Sequence, residues 1–491
     1  MFNIEKFKNY SFYFLIGIIF LVGVFIRTNL YINGTAFEDD ECRLAITMLD
    51  KNLWQMFLPL GDAQSAPPIF MFLSKILANL FGYEERVLHF IPYVASIASL
   101  GFFYRICKNY FSKKLTTLLA TFLFAINLML ISYAFIFKQY SLDVLIGLIC
   151  INYFPQIDIK SLNVKKLVLL SIALMILPLI SLPSLFFIFG LFILNLIKNY
   201  KEKEFYTKSV AICIPFVLLM SIYYWNVLLP SKIDLDLAFP NYWENGFWNF
   251  SIFSLVRIIT FNFLFDFAPN KLMLFIFILF VLGFVSCVLD KKDTQKTSYF
   301  ITVVLVTALL ASLFNIYPMV GRVALYLTPI FLLFILRPLD IIKNKIGVAS
   351  ILLMIILGFV QYSPNYLCSL RNDNEIVKYA PESLMQVLID KFNPKEDIIL
   401  CNSASVSSFL FYSSRNKLYT DNVREMDIRP ATREAAKTYF NGLKKNQKYW
   451  FYLIKDYEKD KVFPFILDEL EKKDILYLKK DRESMLIYVQ N

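Results

Sequence analysis

The stretch Tyr10-SFYFLIGIIFLVGVFIRTN-Leu30 is followed, a few residues on, by Glu38-Asp39-Asp40-Glu41-Cys42-Arg43. The first part is an apolar run about 20 residues long, the length that carries a helix across a bilayer core. The second part places four consecutive carboxylates where such a helix leaves the membrane. Neighbouring carboxylates repel one another and are costly beside lipid, so a chain that only had to span a bilayer would have no use for them there. They read as a candidate catalytic site. Lys6 and Lys8 precede the run and no small-residue cleavage site follows it, so it reads as an uncleaved anchor with its N-terminus in the cytoplasm.

Working outward, the 491 residues are 57% hydrophobic and only 18% charged, too apolar for a soluble globular chain of this length. Further apolar runs cover Arg86 to Cys107, Leu115 to Phe137, Leu142 to Phe154, Leu167 to Leu182, Pro183 to Ile197 and Val210 to Leu229. Beyond them lie Leu272 to Leu289, Tyr299 to Tyr317, Val323 to Leu336 and Ile346 to Tyr362. The expected fold is an α-helical polytopic membrane protein with about eleven transmembrane helices. Lys and Arg gather in alternate loops, at Arg105 to Lys114, Lys160 to Lys166, Lys198 to Lys208, Lys291 to Lys296 and Arg337 to Lys345. By the positive-inside rule those loops face the cytoplasm, which puts the acidic loop and the C-terminal tail on the outer face.

The net charge of +11 does not indicate nucleic acid, because its distribution is topological. From Tyr366 onward 21 Lys and Arg stand against 19 Asp and Glu, so the excess lies in the membrane part. Seven cysteines are scattered without a Cys-x-x-Cys spacing, which indicates neither a disulfide framework nor a zinc cluster. Composition changes near Tyr362, dividing the chain into a membrane domain, 1–362, and a C-terminal domain, 363–491. In the latter, helices are expected over Ser383 to Phe392 and Val462 to Glu471, and strands at Asp397 to Cys401, Tyr449 to Ile454, Ile475 to Leu478 and Met485 to Val489. This is a small α/β domain on the outer face. The first outer loop needs interfacial helices of its own, over Ala45 to Met56 and from Pro67-Pro68 through Ile69 to Phe81. The second, Pro230 to Asn270, is rich in aromatics that suit an interfacial lid.

Three motifs carry a resemblance. Asp40-Glu41-Cys42-Arg43-Leu44-Ala45 with Gln64-Ser65-Ala66-Pro67-Pro68-Ile69-Phe70 and Leu80-Phe81-Gly82 resembles the first outer loop of GT-C class polytopic glycosyltransferases. The similar groups are the protein O-mannosyltransferase and lipid A aminoarabinose transferase families and their bacterial relatives. Ser132-Tyr133-Ala134 with Lys138-Gln139-Tyr140-Ser141-Leu142-Asp143 resembles a second motif of those relatives, and Tyr317-Pro318 with Gly321-Arg322 and Pro329 a third. Two departures stand out: His89 where relatives often have arginine, and Ile136 where they often have an acidic residue.

The resemblance implies inverting transfer of a sugar, hexosyl or pentosyl, from a polyprenyl-phosphate donor to a glycan, lipid or protein acceptor outside a bacterial inner membrane. It singles out Asp40 as general base, with Glu41 and Asp39 orienting it or joining Asp40 in holding a divalent metal. Such chemistry also needs cations on the phosphate leaving group, and Lys138, Arg322 and Arg43 are the candidates. Tyr140 and His89 are supporting candidates, although a lone histidine also reads as a packed side chain. No nucleotide-binding loop is present or needed. The competing readings are a transporter or flippase of lipid-linked saccharides, and a non-catalytic, lipid-binding member of the class. A transporter should show internal repeats and mid-membrane charged sites, and neither stands out.

Overall fold

The structure is a computed structural model that describes residues 4–33, 36–240, 242–256, 258, 270–289, 295–319, 321–342, 381–418, 421–455, 461–481 and 484–490. Among them, five helices are long and apolar enough to cross a membrane: Asn9–Asn33, Glu85–Tyr110, Lys203–Ala238, Lys296–Leu313 and Gly321–Ile341. The run expected as one span from Leu115 to Phe137 is broken instead. Helices Lys114–Ala125 and Leu128–Phe135 meet at 47°. The cause is Asn127, whose side chain caps the second piece by accepting from the backbone N–H of Leu130 at 3.0 Å.

The runs from Leu142 to Ile197 fold as helices Tyr140–Tyr153, Val164–Ile180 and Ser184–Asn199, of 14, 17 and 16 residues. At about 1.5 Å per residue they rise roughly 21–26 Å, short of a bilayer core of about 30 Å. The expected span over Ile346 to Tyr362 lies outside the described residues.

The chain folds as two compact units. One holds the described residues of Met1–Asn33, Leu53–Leu77 and Arg86–Tyr366; the other holds those of Gly34–Asn52, Ala78–Glu85 and Leu367–Asn491.

In the first unit, helix Thr328–Ile341 is buried along nearly its whole length. It packs against helix Asn270–Val288, where Gly283 permits the approach: a Cβ there would lie 1.8 Å from the Phe334 carbonyl oxygen. The one arginine inside the first span, Arg27, is fully buried. Its guanidinium donates to Ser96 Oγ at 2.8 Å and to the carbonyls of Ala125 at 2.7 Å and Gly23 at 3.0 Å. An intramembrane charge survives only with such partners, and these also tie the first span to two neighbours. Asn195 acts similarly, accepting from the Ile159 N–H at 2.9 Å and donating to the carbonyl of Ile157.

The second unit is built on a five-stranded sheet of order β2-β1-β3-β5-β4, with β1 Asp397–Cys401, β2 Val423–Glu425, β3 Lys448–Ile454, β4 Ile475–Asp481 and β5 Ser484–Gln490. The β2-β1-β3 half is parallel and the β3-β5-β4 half antiparallel. Strand β3 is central and buried from Tyr449 to Ile454, as its unbroken apolar run requires. Four strands and two helices stand where the periodicity puts them, to within a few residues. Strand β2 and helices Val406–Arg415 and Arg433–Asn441 were not expected.

Candidate active site

The candidate residues fall into two sets, one in each unit. The acidic run of the second unit begins a helix. Glu38 is the N-cap of helix Asp39–Asp50, and Asp39, Asp40 and Glu41 occupy its first turn. Carboxylates are favoured there because the unpaired N–H groups and the helix dipole present positive charge. Each of the four then has its own circumstances. Glu38 is exposed. Asp39 accepts from Arg43 Nε at 3.2 Å, one helical turn on. Glu41 is 1% exposed and its Oε2 accepts from the backbone N–H of Glu38 at 3.0 Å, the return arm of a capping box. Asp40 is partly exposed.

Successive helical side chains point about 100° apart, so Asp39, Asp40 and Glu41 cannot converge on one ion. Among the described residues no three His, Cys, Asp or Glu side chains come together as a metal-binding set. The suggested metal ligands therefore do not fit that role.

The acidic turn is held by partners far along the chain. The phenol oxygen of Tyr412 accepts from the backbone N–H of Phe37 at 3.2 Å and donates to Glu85 Oε1 at 2.5 Å. Arg415 Nη1 donates to Glu85 Oε2 at 3.0 Å. Phe37 packs on Phe411 with ring centroids 5.2 Å apart. Burial, then the charge of Glu85, push the Tyr412 phenol well above its usual range, so it stays a protonated donor. Cys42 lies within the same cluster, fully buried. Its thiol is pushed well up by burial first and then by Glu41, Asp39, Glu85 and Glu38.

The cations of the first unit are placed differently from one another. Lys138 is 5% exposed and its ammonium donates to Gln64 Oε1 at 2.7 Å. Gln64 follows a strained turn, with Gly61, Asp62 and Ala63 at φ 88°, 52° and 55°. The left-handed region costs a residue with a Cβ about 1–2 kcal/mol, and the turn is braced where Ala63 N–H donates to Asp234 Oδ2 at 2.7 Å. Arg322 is partly exposed, donates from Nη2 to the Tyr242 hydroxyl at 3.2 Å, and lies 5.9 Å from the centroid of the Tyr140 ring. Tyr140 is buried in the first turn of its helix, edge-on to Tyr133 at 5.2 Å. His89 is 1% exposed inside helix Glu85–Tyr110, the packed alternative for this histidine. Arg43 is taken up by Asp39.

Lys138, Tyr140 and Arg322 thus share a unit, and Asp39, Asp40, Glu41 and Arg43 share the other. Gln64, Asp234, Glu85, Tyr412 and Arg415 were missed as functional candidates. Gln64 stood in a quoted motif, and a Gly-Asp pair before it is a turn signal; nothing local marks Tyr412.

No protein-family model matches the chain, and no curated protein sequence does. Solved structures do. ArnT from Cupriavidus metallidurans bound to undecaprenyl phosphate aligns with 97% of this chain and 98% of its own, at TM-score 0.54 and 9% identity. The same protein in its apo state aligns with 99% of this chain and 98% of its own, at TM-score 0.53 and 10% identity. The Archaeoglobus fulgidus oligosaccharyltransferase, in complex with Zn and sulfate, aligns over 96% of this chain and 73% of its own, at TM-score 0.50 and 12% identity. At such identities the likeness concerns the fold. That fold is shared with the ArnT and oligosaccharyltransferase structures.

Proposed function

We propose that this chain is a membrane glycosyltransferase that moves a sugar from a polyprenyl-phosphate-linked donor to an acceptor outside a bacterial inner membrane. The observation that carries this reading is the end-to-end likeness to ArnT, a protein whose structure holds undecaprenyl phosphate. Fold alone would allow other activities. The residues narrow it, because the chain carries an acidic helix start and also buried and half-buried cations of the kinds that phosphate needs.

Asp40 is the general base. It deprotonates the acceptor nucleophile as the bond from the sugar's anomeric carbon to the donor phosphate breaks, and the leaving phosphate carries away the electron pair. Glu41 holds the helix start and so the aim of Asp40. Lys138, fixed by Gln64, supplies a point charge to the phosphate, and Arg322 supplies a planar fork with Tyr140 and Tyr242 beside it. Arg43, engaged by Asp39, is the weaker phosphate candidate. A single base without a second carboxylate acting as nucleophile corresponds to inversion at the anomeric carbon. The acceptor class is a glycolipid, an envelope polysaccharide or a protein.

Mass analysis of lipid-linked sugars and envelope glycans, in cells with and without the protein, tests this reading. Loss of one glycan modification with build-up of a polyprenyl-phosphate sugar is expected on removal. Unchanged pools of both would overturn it.

A further inference from the structure

Beyond the roles assigned to Asp40 and the phosphate cations, the second unit contains a device that none of those roles uses. The N-terminus of the acidic helix is tied to residues more than 300 positions further along the chain. Phe37, the residue before the N-cap, is held twice: its backbone N–H by the Tyr412 hydroxyl and its ring by Phe411. Its carbonyl oxygen in turn accepts from Cys42 Sγ at 3.7 Å, so the turn is closed on itself. Glu85, at the start of its own helix, takes both Tyr412 and Arg415. The bidentate use of one carboxylate by a phenol and a guanidinium fixes all three side chains in one geometry. Helix Val406–Arg415 is rich in serine, a poor helix interior residue, yet it packs along the acidic helix. Its Ser405 cap region is anchored to the sheet, with Oγ donating to the Tyr452 carbonyl at 2.8 Å.

We propose that the C-terminal domain is a positioning device for the general base: Tyr412 and Arg415, through Phe37 and Glu85, set the direction in which the first turn of the acidic helix presents Asp40. Tyr412, Arg415 and Glu85 are positioning residues, not catalytic ones. The idea rests on the reading of Asp40 given above, but the geometry it invokes does not. Because the lock acts at the helix start, loosening it lets the turn fray while the sheet stays folded. Fraying lowers the fraction of molecules with the base aimed, so turnover falls while donor binding, assigned to Lys138 and Arg322, is unaffected.

The test uses the full chain in lipid nanodiscs with Tyr412→Phe, Glu85→Gln, Arg415→Gln and Arg415→Lys. Hydrogen exchange should speed up about tenfold over residues 37–42 in the first three, the scale expected for losing a hydrogen bond worth about 1.4 kcal/mol. Strands β3 and β5 should keep wild-type exchange, and Arg415→Lys should recover part of the protection. Binding of undecaprenyl phosphate should be unchanged, while the glycan product in cells falls about tenfold. Wild-type exchange over residues 37–42 in both Tyr412→Phe and Glu85→Gln would overturn the lock. Faster exchange with undiminished product would overturn its coupling to chemistry. Asp40→Asn runs beside them: if it keeps full product, the reading of Asp40 fails, and the exchange data still decide whether the lock exists.

Discussion

Asp40 and Glu41 are neighbours in the chain and differ in surroundings. Glu41 is buried with its carboxylate on the N-cap amide, whereas Asp40 is partly exposed beside it. The sequence motif separates them only by resemblance; in the structure the helical step of about 100° puts one inward and leaves the other partly exposed. Cys42, next along, provides a check on that turn. Because it is fully buried and its thiol is held protonated above its usual range, maleimide at pH 8 should label Cys42 only after denaturation, in a variant whose other cysteines are serine. Rapid labelling of the folded protein would mean that the turn is open. Among the cations, Arg322→Ala should weaken undecaprenyl phosphate binding about tenfold or more, as loss of a charge-assisted hydrogen bond does, with a smaller effect on turnover. Unchanged affinity would remove Arg322 from the phosphate role.

At the scale of elements, the packing of helix Asn270–Val288 on helix Thr328–Ile341 depends on the absence of one side chain. Gly283→Leu would drive atoms into the Phe334 backbone, and overpacking of this kind costs about 1–3 kcal/mol or more. The expected outcome is a clear fall in thermal unfolding temperature in detergent; an unchanged value would contradict the close approach. Long apolar runs were legible as helices because composition alone specifies them. The break at Asn127 was not, since a single N-cap residue inside a long apolar run does not interrupt its composition. Asn127→Leu should straighten or destabilise the bent pair, seen as altered accessibility of single cysteines placed on either side. Strand β2 is three residues long and two of them are exposed, so it carries no periodic signal at all.

Over the whole molecule, what the sequence could show followed from local patterns. Strands β1, β3, β4 and β5 have apolar character of their own, and the three motifs gave the fold class. What it could not show is long-range: Glu85 with Arg415, Phe37 with Tyr412, Gln64 with Lys138. Pairs separated by 74 to 375 positions leave no trace in spacing. For the same reason the acidic loop, read as part of a membrane domain, folds within the compact unit that contains the C-terminal sheet. The account of function stands on Asp40 as the base of a lipid-linked sugar transfer. Asp40→Asn removes the base and keeps the size and a hydrogen-bonding oxygen, so the protein should insert and bind undecaprenyl phosphate as before. Mass spectrometry of the cells' lipid-linked sugars and envelope glycans should then show the product gone and the donor accumulated; product at the wild-type level would contradict the account.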